Sequence, residues 1–178
     1  MMDRLMGVLT LKAPVYKAIA EDTSATTTAG IITVVMGVLG GVLGAVALSL
    51  AGSSLPPGQA AAMGSPVKII VSTILNTIIG WLVGSWVLAF VAKMFGGKTD
   101  FGEMLRVFGF AQIFQVLNIV PCLGTLLAFF GSIAAAVLGI REAAGFDTVK
   151  AILVGIVGFI ALFLVSIVIG MILAPLGL

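Results

Sequence analysis

Residues 29–51 carry no charged side chain, and three further runs of membrane-crossing length follow at 67–92, 122–140 and 149–173, each with at most one Lys close to an end. About 20 apolar residues in a helix cross the hydrocarbon core of a bilayer. Only helices and closed barrels can satisfy their backbone polar groups there. None of the four runs alternates polar with apolar residues, which removes the barrel. Charged residues make up 9% of the chain, against about a quarter in ordinary soluble domains. The sequence therefore describes an all-α integral membrane protein.

A fifth apolar run, 105–120, is shorter, about 24 Å at helical rise, and Pro121 follows it directly. It forms a short hairpin with 122–140 that either crosses fully or only dips into the bilayer. The expected architecture is a five-helix transmembrane bundle whose third and fourth helices make that hairpin. Residues 1–27 form a cytoplasmic or interfacial lead and residues 28–178 the membrane domain. The link over 52–66 is rich in Gly, Pro and Ser, and Pro175 ends the last run. The first 27 residues are interrupted by Lys12, Pro14, Lys17, Glu21 and Asp22, so they are not read as a cleaved signal.

Basic residues set the orientation. Arg4, Lys12, Lys17, Lys93, Lys98, Arg106, Arg141 and Lys150 fall on one side of the predicted topology, and Lys68 alone on the other. The positive-inside rule then places the N-terminus in the cytoplasm and the C-terminus outside, in a cytoplasmic (inner) membrane. These eight residues are expected to fix topology and meet anionic lipid. Because a hairpin entering from one face returns to it, the depth of the third run does not alter this sidedness.

The stretch "GGKT" at 96–99 resembles the tail of a phosphate-binding loop, but such a loop needs G-x-x-x-x-G-K-[ST] between a strand and a helix. Ala92 stands where the first Gly belongs, and a membrane helix precedes the turn. No nucleotide or nucleic acid is expected there. Thr99 or Asp100 is positioned to cap the next helix, with Glu103 one turn on and Arg106 three residues beyond it.

Gln112, Gln115 and Asn118 recur every third residue inside the third run. They read as the lining of a solute path or as hydrogen-bonding glue between helices. Gly37 with Gly41, Gly40 with Gly44 and Gly80 with Gly84 are GxxxG pairs that let helix backbones approach closely, within the chain or between chains. In the lead, Leu5, Met6 and Leu9 share a helical face that suits the membrane interface.

The chain has no His and a single Cys, Cys122, read as a small apolar residue. Ser, Thr and Tyr lack the usual base, and no catalytic or metal-binding constellation emerges, so neither an enzyme nor a cofactor is expected. No ionisable residue lies midway along a predicted crossing, which argues against proton-coupled transport.

Four segments, "LTLKAPVYKAIAED", "FGGKTDFGEMLRVFGFAQ", "NIVPCLG" and "GIREAAGFDTVKAILV", resemble the Yip family, the Ypt/Rab-GTPase-interacting membrane proteins, in its prokaryotic form. The resemblance implies a five-span, non-enzymatic protein with its N-terminus inside; eukaryotic members are linked to vesicle trafficking through small GTPases. Three functions are compatible with these readings. The first is a structural or accessory subunit, or membrane-organising scaffold, that contacts other integral membrane subunits or itself as well as the bilayer. The others are a passive channel or small-solute permease, and an adaptor that recruits a small GTPase.

Overall fold

The computed structural model describes residues 2–51, 65–120 and 122–173. Pro121, Pro175 and most of the 52–66 link, to which turn and stop roles were assigned, lie outside the described residues. Every described regular element is helical. Two short helices, α1 (Met2–Leu9) and α2 (Ala13–Glu21), precede the long α3 (Ala25–Ala51) and α4 (Pro66–Met94). Then come α5 (Phe101–Ala111), a 3₁₀ segment (Gln112–Ile119), α6 (Leu123–Ala144) and α7 (Thr148–Leu173). Of these, α3, α4, α6 and α7 contain stretches long and apolar enough to cross a membrane.

Four of the five expected crossings are thus such helices among the described residues, and a composite element stands at the place of the other. That element begins at Phe101, four residues before the expected 105–120 run, and tightens into 3₁₀ at Gln112. A 3₁₀ helix rises about 2.0 Å per residue against 1.5 Å for α, so α5 and its extension together reach about 32 Å. The tighter coil sets Phe114 against Gly131 and the Leu117 carbonyl against Gly124, closing the hairpin onto α6. Cys122 sits exposed at the start of α6 with φ +63°.

The α3–α4 pair is antiparallel and close. A Cβ on Gly41 would lie 2.8 Å from the Ile70 Cα, and one on Gly37 3.2 Å from the Ile74 Cα. These two glycines bring the backbones together. Gly40 and Gly44 face the side chains of Thr73 and Ile69 at ordinary distances, and Gly84 only touches Leu162. Gly80 has open space where its Cβ would be. An approach with no signature in the GxxxG pattern occurs at Gly109, which lies against the Ala29 backbone.

The lead packs into the bundle. Val8, Tyr16, Ile19 and Ala20 are buried with Ala25, Ala29, Val107 and Phe110 in one apolar cluster. In α1 it is Gly7 and Val8 that turn inward, with Leu5 and Leu9 beside them, whereas Met6 is exposed. Tyr16 donates its hydroxyl to the Val8 carbonyl at 3.1 Å, folding α1 back on α2. A second cluster, with Leu88, Ala92, Met104, Ile140, Ala151 and Val154, joins α4, α5, α6 and α7.

Candidate functional site

Two recesses collect the residues singled out above. The first lies at the end of the bundle where α4 and α6 stop. Gly96 and Gly145 adopt φ +80° and +69°, the left-handed values that end a helix without steric cost only for glycine. The Gly97 amide donates back to the Ala92 carbonyl at 2.9 Å, and the Phe146 amide to the Arg141 carbonyl at 3.0 Å. Both are the six-to-one bonds of glycine-terminated helices.

The two turns touch each other. The Lys98 amide donates to the Ala144 carbonyl at 3.4 Å, and a Cβ on Gly97 would meet the Phe146 ring at 2.7 Å. "GGKT" and "REAAGF", far apart in sequence, thereby form one surface. A recess of about 420 Å³ opens there, with Lys17, Lys98, Arg141 and Glu142 on its walls. Arg141 is tied to Glu142 at 2.8 Å and to Thr148 at 3.3 Å. Lys17 and Lys98 make no ion pair among the described residues. Lys150 stacks over the Phe146 ring, 4.7 Å from its centroid.

Beyond the turn, Asp100 caps α5. Its carboxylate accepts from the Glu103 amide at 2.7 Å while Glu103 accepts from the Asp100 amide at 3.1 Å, a reciprocal capping box. Thr99 is buried beside it. Arg106 lies elsewhere than the headgroup surface: it is buried, and its Nε and Nη2 both donate to the Ala20 carbonyl at the end of α2. Arg4 pairs with Asp22 at 2.7 Å. Lys12 and Lys93 are exposed. By helix direction the eight basic residues share this end of the bundle, and Lys68 stands at the other.

The second recess, about 320 Å³, lies between α3, α4 and the 3₁₀ segment. It gathers Gln112, Gln115 and Asn118 on one wall and Thr73, Asn76 and Thr77 on the other. The three α4 residues were missed in the sequence, although they recur at helical spacing, because a long apolar run surrounds them. Asn118 donates to the Gln115 side chain at 2.7 Å, and Thr77 to the Thr73 carbonyl at 2.8 Å. The carboxamides of Asn76 and Gln112 have no hydrogen-bonding partner among the described residues. Gly40 and Gly80, both exposed, flank the opening. Trp81 closes the recess on the side of the basic end, its indole donating to the Leu105 carbonyl at 2.8 Å. Beyond it the apolar cluster around Phe110 fills the bundle.

A bundle of long apolar helices with a charged rim at one end, where the seven acidic residues accompany eight of the nine basic ones, and a polar recess in its flank defines a multi-pass membrane protein. The Yip1 domain model matches residues 6–170, nearly the whole chain, and the protein belongs to that family. No curated protein and no solved structure matches it.

Proposed function

We propose that this protein is a non-enzymatic scaffold or accessory subunit of a larger membrane assembly, and that its basic end is the surface that meets the partner. The observation that carries this reading is the convergence of the two turns. Three cationic side chains, Lys17, Lys98 and Arg141, arrive from three separate elements around one recess. The Lys98–Ala144 bond and the Gly97–Phe146 contact join the backbones of the two turns that carry Lys98 and follow Arg141. Turns whose backbones are already joined favour recognition, because little loop entropy remains to be lost on binding. The excess of basic residues at this end supports a cytoplasmic orientation for it, with the bundle in the inner membrane.

The permease reading finds less support. The polar recess ends at Trp81, and between it and the basic end the interior is occupied by buried apolar side chains. An adaptor for a small GTPase would use the same basic end as a scaffold, so the identity of the retained partner separates those two readings. The test is crosslinking in native membranes followed by purification in mild detergent. Wild-type chain is expected to carry a stoichiometric membrane partner, and the variant with Lys17→Glu and Lys98→Glu to lose it. A chain that purifies as a lone monomer, or a partner retained equally by the variant, contradicts the proposal.

A further inference from the structure

The flank recess holds two carboxamides, Asn76 and Gln112, that have no hydrogen-bonding partner among the described residues. Thirteen residues separate Trp81 from Met94 at the basic end and twenty-one separate Thr73 from it, about 20 and 32 Å along a helix. With Lys93 at one headgroup layer, the recess occupies the far half of a hydrocarbon core about 30 Å thick and ends near the opposite interface. An unsatisfied polar group within the hydrocarbon is costly, which applies to the part-buried Gln112; Asn76, on the facing wall, is exposed nearer the far interface.

We propose that this recess binds the uncharged, hydrogen-bonding head of a membrane amphiphile, with the tail lying in the adjacent lipid. The lining decides the chemistry. Apart from the Trp81 indole, which is already bonded to Leu105, its polar groups are amides and hydroxyls, which donate to carbonyl oxygens and accept from hydroxyls, and no charged side chain lines it among the described residues. A phosphate head would lose its hydration without gaining a counter-ion. The volume decides the size. About 320 Å³ is at the small end of ligand pockets. One turn of a helix about 10 Å across and 5.4 Å tall displaces about 400 Å³, so a partner's transmembrane helix does not enter. The glycines decide the route: Gly40 and Gly80 leave the flank without side chains at the mouth, and the Trp81 end is closed.

Two kinds of membrane molecule offer this head chemistry, a neutral glycerolipid with a free hydroxyl and an isoprenoid quinone. The test reconstitutes the full chain in nanodiscs of zwitterionic phospholipid with one of three photoactivatable probes: a diacylglycerol, a benzoquinone with an isoprenoid tail, or a phosphatidylglycerol with the same acyl chains as the first. At least one neutral probe is expected to label peptides around Asn76 or Gln112, and whichever does identifies the source. Asn76→Leu with Gln112→Leu removes two hydrogen-bonding groups and is expected to reduce that labelling by about tenfold. Gly80→Phe keeps every polar group but obstructs the mouth, and is expected to reduce labelling as well. The proposal is overturned if neither neutral probe labels, if the anionic probe labels the same peptides equally, or if both variants retain wild-type labelling.

Discussion

The guanidinium of Arg106 donates twice to the carbonyl oxygen of Ala20, eighty-six residues earlier in the chain, and so fastens the end of α2 to the first turns of α5. No carboxylate shares this bond; the partial negative charge at the C-terminus of α2 is what the cation meets. Arg106→Ala is expected to release α1 and α2 while the long helices stay packed. A charge-assisted hydrogen bond of this kind contributes about 1.5–3 kcal/mol. Hydrogen exchange measured by mass spectrometry checks it: protection should fall over 2–21 and remain over α4 and α6.

The junction after α2 is expected to respond to acid. The Ser24 hydroxyl donates to the Asp22 carboxylate at 2.6 Å and Arg4 lies 2.7 Å away. These partners, Ser24 first, hold the Asp22 pKa down to about 2 from an ordinary 3.8. A carboxyl whose folded pKa lies below its unfolded one stabilises the fold fully above the unfolded value and loses that contribution as pH falls through the folded one. Protection of α1 and α2, taken relative to the intrinsic exchange rate at each pH, should therefore fall between about pH 4 and pH 2. In Asp22→Asn this acid-dependent component should vanish.

Much of the helical framework was legible in the sequence, because runs such as 29–51 and 149–173 admit no other structure in a bilayer. The capping of α5 was legible too: Asp100 and Glu103 stand at the spacing of a reciprocal cap. The docking of α1 and α2 was not, since short apolar positions such as Val8 and Ile19 look alike whether they face lipid or protein. Arg106 misled for a related reason. Three residues from Glu103, it has the spacing of a surface ion pair, and only the return of α2 over α5 buries it. The polar recess was half visible in Gln112, Gln115 and Asn118. Its other wall depends on how α3 and α4 pair, which periodicity does not specify.

That pairing yields a contrast within one motif type. Gly41→Val places side-chain atoms into the Ile70 backbone and should destabilise the protein by about 1–3 kcal/mol. Gly80→Ala meets nothing within 4 Å and should leave stability within about 0.5 kcal/mol. Thermal unfolding of the two variants in the same detergent measures the difference.

The turns at the basic end provide a further check. Gly145→Ala forces a side chain into the left-handed region, at a cost of about 1–2 kcal/mol. Gly97→Ala instead pushes a Cβ against the Ala92 carbonyl and the Phe146 ring, parting one turn from the other. Both should lower the unfolding temperature. If the joined turns form the contact surface, Gly97→Ala should also weaken partner retention beyond its effect on stability, which quantitative crosslinking at temperatures well below unfolding resolves.

If the recess around Lys17, Lys98 and Arg141 is where this protein meets its assembly, reversing its charge must release the partner. The most direct measurement is the stoichiometry of the co-purifying membrane partner for wild type and for the Lys17→Glu, Lys98→Glu variant, both crosslinked in native membranes. A defined partner present with wild type and depleted about tenfold or more in the equally folded variant is the expected result, since two charge reversals against a complementary surface cost more than 1.4 kcal/mol. The same partner at the same stoichiometry in both, or none in either, would contradict it.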